Sequence, residues 1–98
     1  IVHLGAKPIF ADVGSNQLID VNNIEKLITK RTKAIMPVHL TGLMANMHTI
    51  NSLAKKYNLF VIEDAAQSIG SKLNSRFSGT FGDVGCFSFY PSRLRLLL

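Results

Sequence analysis

Short apolar runs alternate with helical faces along this chain, and turn residues separate them. Lys7-Pro8-Ile9-Phe10-Ala11-Asp12-Val13 reads as a short strand, with Pro8 at its start, where a missing N–H is tolerated. Gly14-Ser15-Asn16 has turn chemistry. Asp20 then stands as a helix N-cap ahead of Val21, Ile24, Leu27 and Ile28, which share one face at helical spacing. Thr29 to Thr32 form the exit loop. Ala34-Ile35-Met36-Pro37-Val38-His39-Leu40 predicts a second strand, whose pairing Pro37 weakens. After the loop from Thr41 to Ala45, Asn46 caps a helix that buries Met47, Ile50, Leu53, Ala54 and Tyr57. Lys55 and Lys56 suit its C-terminal end through the helix dipole, and Asn58 stops it.

Leu59-Phe60-Val61-Ile62 is an unbroken apolar run, which predicts a buried strand of a parallel sheet. Strand, helix, strand, helix, strand in this order implies right-handed crossovers, so the fold class is α/β with helices flanking a mostly parallel sheet. The third strand ends on Glu63-Asp64-Ala65-Ala66-Gln67. Ligands of open α/β sheets sit outside the carboxyl ends of the strands, which is where Asp64 falls. Taken alone, the stretch is better explained by Asp64 acting as a cap for the segment after it. Ser71 to Phe77 then suggests a small hairpin turning at Asn74-Ser75, and Gly79 to Asp83 a glycine-rich turn. Gly85-Cys86-Phe87-Ser88-Phe89-Tyr90 predicts another short buried strand, ended by Pro91-Ser92. The tail from Arg93 to Leu98 has no turn, cap or period of its own, and no internal repeat is present.

The 98 residues allow one small domain, which buries only about 60% of its unfolded surface. The chain begins at Ile1 and its methionines are internal, so a piece of a longer protein or a processed product is expected. No run approaches the ~20 apolar residues of a membrane span, and no signal segment opens the chain. The net charge of +5 raises the question of nucleic acid. The basic residues are scattered, however, and the densest group, Lys30-Arg31-Thr32-Lys33, lies in a loop without interleaved aromatics. No nucleic-acid partner is expected, whereas an anionic ligand such as a phosphate fits the positive balance. The single cysteine, Cys86, permits no internal disulfide; it reads as a small buried hydrophobe in a reducing, cytoplasmic setting. His3, His39 and His48 lack the close pairing of a zinc motif, so no metal is assigned. His39, at a strand's carboxyl end, has two equal readings: lining a crevice, or packing with its hydrogen bonds satisfied.

Two segments, Val61-Ile62-Glu63-Asp64-Ala65-Ala66-Gln67 and Gly82-Asp83-Val84-Gly85-Cys86-Phe87-Ser88-Phe89, carry a family resemblance. Gly5 to Val13, Ile35 to Gly42 and the helix start from Met47 to Ile50 extend it from about Leu4 to Ser92. The chain resembles the DegT/DnrJ/StrS family of pyridoxal-phosphate-dependent sugar aminotransferases. The resemblance implies the large, cofactor-binding domain of a fold-type-I enzyme, present in part over residues 1–98. The amino-terminal phosphate loop would precede it, and the carboxyl-terminal small domain would follow. It implies that Asp64 holds the protonated pyridine nitrogen of pyridoxal 5'-phosphate, that Gln67 hydrogen-bonds the ring's phenolic oxygen, and that Ser88 donates to the phosphate. The simpler readings are an N-cap for Asp64, a turn amide for Gln67 and a backbone-bonded hydroxyl for Ser88. Together, at matching spacing, the cofactor reading is the stronger. The implied substrates are a nucleotide-linked keto-sugar and glutamate, in a homodimer whose second subunit completes the site.

The match breaks at Arg93, where the family has its Schiff-base lysine. A guanidinium stays protonated and offers no lone pair to an aldehyde, so Arg93 cannot take that role. A minority branch carries histidine there and deoxygenates its sugar, and Arg93 does not match it either. With about half of a cofactor pocket and its strand edges unpaired, the segment alone is expected to be marginally stable, and it is expected not to transaminate. The alternatives are a non-catalytic protein of the same fold, a relative of the deoxygenase type, another fold-type-I enzyme such as a desulfurase or aldolase, or an α/β interaction module. A frameshift, truncated frame or junction at Arg93 is a further expectation. Resequencing the coding DNA from the Ser88 codon in all three frames tests it. Lysine at 93 in a shifted frame, with a long continuation, makes the tail an artefact; a confirmed arginine codon followed closely by a stop removes catalysis.

Overall fold

The computed structural model describes residues 1–90. A short helix α1 (Val21–Ile24) runs into a 3-10 turn over Glu25–Leu27. Strand β1 (Ala34–Ile35), another 3-10 turn (Leu40–Gly42), helix α2 (Met47–Tyr57) and strand β2 (Phe60–Asp64) come next. A hairpin of β3 (Lys72–Leu73) and β4 (Arg76–Phe77) precedes the last strand, β5 (Val84–Cys86). The sheet has the order β1-β2-β5 and is parallel throughout, with Ala34 opposite Phe60 and Asp64 opposite Cys86.

Local chemistry sets these boundaries. The Asp20 carboxylate accepts from Asn22 N–H at 3.0 Å and starts α1; Asn46 Oδ1 accepts from Thr49 N–H at 3.2 Å and starts α2. Asn58 ends α2 in the left-handed region at φ 53°, where a short polar side chain is tolerated. Asn74 and Ser75 both take positive φ, the twist that a two-residue hairpin turn requires.

Three expected strands differ from those observed. Lys7 to Val13 does not join the sheet: only an antiparallel bridge between Val13 and Ile19 forms, and Phe10 is 90% exposed. The hydrogen bonds of this stretch close locally instead, with Gly14 N–H donating to Leu18 O and Asp20 N–H to Asp12 O. The second strand stops at Ile35, because Pro37 has no N–H to donate. Pairing with β2 resumes beyond it, where Asp64 N–H donates to Pro37 O at 2.9 Å and His39 N–H to Asp64 O at 3.0 Å. The last strand is shorter than Gly85 to Tyr90 and is not buried, and Cys86 is exposed rather than a core residue.

Alternation along β2 sends Val61 and Glu63 to one face of the sheet and Phe60, Ile62 and Asp64 to the other. α2 covers the first face, where Met47, Ile50 and Ala54 pack with Ile24, Ile35, Ala45, Val61 and Phe81. Tyr57, expected in this face, is exposed; its hydroxyl donates to Glu25 Oε1, which Lys56 also holds. The second face is open: Met36, Val38, Phe60, Val84 and Cys86 are exposed on it.

Close backbone approach explains two of the glycines. A Cβ on Gly82 would lie 2.6 Å from Val61 O, and one on Gly85 would lie 2.3 Å from Gly79 O. Gly82→Ala must therefore push the 79–82 turn away from β2. The expected loss of stability is about 1–3 kcal/mol in a urea titration of the complete protein.

Candidate functional site

Glu63 carries the densest set of hydrogen bonds at the carboxyl end of the sheet, and its side chain is 0% exposed. Oε2 accepts from His39 Nε2 at 2.9 Å and from Gly79 N–H at 2.8 Å. Oε1 accepts from Phe81 N–H at 2.5 Å and Gly82 N–H at 2.6 Å. The tautomer of His39 is set by its partners: Nδ1 accepts from Ala45 N–H at 3.2 Å, so the proton sits on Nε2 and points at Glu63. The packing reading of His39 is therefore the one observed; it is wholly buried and lines no open crevice. Beside this clamp, Asp83 ties β5 to β2, its Oδ2 accepting from Val61 N–H and its own N–H donating to Val61 O, both at 2.8 Å.

Asp64 projects to the opposite face, at the end of the central strand and half-buried. Its Oδ1 accepts from Ala66 N–H at 3.0 Å, closing the turn that delivers Gln67. Among the described residues its other oxygen has no hydrogen-bond partner. Gln67 Oε1 accepts from Thr41 N–H at 2.9 Å, which fixes the amide's orientation and leaves its NH₂ group without a partner among the described residues. Thr41 takes φ 52°, an unfavourable conformation for a β-branched residue. Its hydroxyl donates to Leu40 O at 2.7 Å. Ser88 stands two residues beyond Cys86, the partner of Asp64 across the ladder, and its Oγ accepts from Tyr90 N–H at 3.4 Å. Arg93 lies outside the described residues.

The structure thus brings Asp64 and Gln67 onto one turn and sets the strand leading to Ser88 beside it. Among the described residues, the valences without a partner are an anionic acceptor on Asp64, an amide donor on Gln67 and a hydroxyl hydrogen on Ser88. They fit a ring with a protonated nitrogen, an electron-rich ring oxygen and a phosphate. Glu63 and Thr41 are the residues that sequence reasoning missed. The sign of Glu63 was an acid at an inward position of a strand with N–H-rich glycine turns downstream. Nothing in the sequence signalled the backbone of Thr41. Among the described residues no group of three His, Cys, Asp or Glu side chains could hold a metal ion, and no helix is long and apolar enough to cross a membrane.

Burial alone would favour the neutral acid of Glu63. The hydrogen bonds from His39, Gly82, Gly79 and Phe81 outweigh it and hold the pKa below the ordinary 4.5. A depressed folded pKa stabilises the fold above the unfolded value, and the contribution disappears as pH falls through the folded one. Glu63→Gln should lower stability at neutral pH by on the order of 3 kcal/mol. It should also flatten the fall in stability below pH 4.5, as read by urea titrations across pH.

The UDP-N-acetyl-3-dehydro-alpha-D-glucosamine 3-aminotransferase of Acidithiobacillus ferrooxidans is 51% identical over 94 residues, covering 95% of this chain and 26% of the relative. Among solved structures, Helicobacter pylori PseC, an aminotransferase of pseudoaminic acid biosynthesis, superposes with a TM-score of 0.89 at 32% identity, over 91% of this chain and 24% of its own. An Escherichia coli GDP-4-keto-6-deoxy-D-mannose-3-dehydratase with bound hydrated PLP superposes with a TM-score of 0.76 at 33% identity, over 83% of this chain and 21% of its own. The chain spans about a quarter of the length of the curated relatives it matches. The family match runs over residues 1–94, and on it the chain belongs to the DegT/DnrJ/EryC1/StrS aminotransferase family.

Proposed function

We propose that these residues form the central part of the cofactor-binding large domain of a pyridoxal-phosphate-dependent aminotransferase acting on a nucleotide-linked keto-sugar. Glutamate is the proposed amino donor and a homodimer the proposed assembly. The observation that carries this reading is the set of Asp64, Gln67 and Ser88 valences left without a partner among the described residues, at the carboxyl end of a parallel sheet. The names of the relatives, sugar aminotransferases and a sugar dehydratase, support the substrate class.

In this reading the bound pyridinium ring supplies the electron sink for amino transfer. Asp64 keeps a proton on the ring nitrogen by placing a carboxylate against it. Gln67 donates its amide N–H to the ring oxygen, in the orientation imposed by Thr41 N–H. Ser88 donates to the phosphate. The positive balance of the chain suits the anionic ligands. Arg93 binds no aldehyde and shuttles no proton at neutral pH, so the chain as written holds a cofactor without turning it over. That departure supports a non-catalytic relative as the second reading, and the dehydratase among the structural relatives supports a deoxygenating one.

Pyridoxamine 5'-phosphate is the appropriate probe, because its amine needs no Schiff base. In the complete protein, Asp64→Asn should weaken its binding at least about tenfold, equivalent to ~1.4 kcal/mol, in a fluorescence titration. Unchanged affinity would return Asp64 to the role of turn former through Ala66 N–H and overturn the cofactor reading.

A further inference from the structure

We infer that Glu63, which contacts neither the ring nor the phosphate in the proposed site, is the residue that positions both; this inference rests on the cofactor reading above. Three observations carry it. First, Glu63 and Asp64 are adjacent on β2 and project to opposite faces, so any displacement of Glu63 is passed directly to the backbone of Asp64. Second, the four donors of Glu63 come from both neighbours of β2. His39 lies on the extension of β1, and Gly79, Phe81 and Gly82 lie on the turn that enters β5. His39 N–H in turn donates to Asp64 O, and Ala65 N–H donates to Cys86 O, so the carboxyl ends of all three strands are tied around one carboxylate. Third, Ser88 and Gln67 hang from those strand ends. Ser88 lies two residues past the end of β5, and Gln67 is held by Thr41, two residues beyond His39.

The carboxylate is matched to its site because every partner is a donor. Glutamine at this position would turn an NH₂ group toward either the His39–Gly79 pair or the Phe81–Gly82 pair, setting donors against donors. The 79–82 turn would then withdraw from β2, and the spacing between Asp64 and Ser88 would no longer be fixed. A ligand that bridges the two must feel the change, since a misplacement of about 1 Å can cost on the order of a hundredfold.

The test compares three forms of the complete protein: unaltered, Glu63→Gln, and Ile50→Val as a core change away from the site. Each is titrated with pyridoxamine 5'-phosphate well below its own melting temperature. Glu63→Gln is expected to weaken binding by about tenfold to a hundredfold, while Ile50→Val stays within about threefold of the unaltered protein. Inorganic phosphate, which needs no fixed spacing, should protect the unaltered and Glu63→Gln proteins against thermal unfolding to the same extent. If Glu63→Gln binds as the unaltered protein does, or if its loss is matched by Ile50→Val, the inference fails and the cofactor reading stands. If the unaltered protein binds no pyridoxamine 5'-phosphate, both fail. Should Glu63→Gln not fold, His39→Asn keeps an acceptor for Ala45 N–H but is too short to reach Glu63, which leaves the three backbone donors. It is expected to weaken binding by roughly threefold to tenfold, and unchanged affinity would overturn the inference.

Discussion

A carboxylate removed from water must recover its lost hydration from the protein, and Glu63 recovers it from four N–H groups drawn from two separate segments of the chain. The demand shapes what surrounds it. The 79–82 turn has to lie against β2 for its backbone to reach, and the approach is so close that a Cβ on Gly82 would strike Val61 O. The end of β1 has to present a donor, and His39 does so in the tautomer that Ala45 N–H selects. Parallel pairing between β2 and β5 then has little freedom, because its entrance is already fixed at Val61 by Asp83. A polar network holds the carboxyl edge of this sheet, and the apolar contacts of α2 hold its body.

The two faces of the sheet are unequally covered. α2 and its neighbours close one, while Met36, Val38, Phe60 and Val84 stand exposed on the other. Parallel sheets are ordinarily buried on both faces. An apolar face left bare accords with a segment that spans a quarter of the length of its relatives. The same face bears Asp64, so covering it would also take the candidate site out of solvent.

The sequence was most legible where local chemistry decides the outcome. Asn46, Asn58 and the Asn74-Ser75 turn act as their side chains and backbone preferences predict, and the parallel order reflects the alternation of elements. It was least legible at the margins of the sheet. Lys7 to Val13 has the composition of a strand, but strand formation needs a neighbour, and its hydrogen bonds close on its own turn instead. Cys86 lies in an apolar run yet faces the uncovered side, which no periodicity reveals. At the site, the family motif pointed to Asp64, Gln67 and Ser88. The partners that orient them, Glu63 and Thr41, act through contacts between segments distant in sequence. Thr41 acts with its backbone, so its side-chain identity carried no signal.

The adjacency of Glu63 and Asp64 has a consequence for how reliably β2 finds its place. A slip of one residue along a strand exchanges its faces. Here a slip in one direction would set Glu63 in the place of Asp64 and apolar Ile62 against the four donors. A slip in the other would set the shorter Asp64 among those donors and Ala65 in the place of Asp64. Either slip leaves some of the donors around Glu63 unmatched, so the misaligned ladder lacks the compensation that would let it persist. The aligned ladder alone matches a carboxylate to all four donors, and that preference holds before any ligand is present.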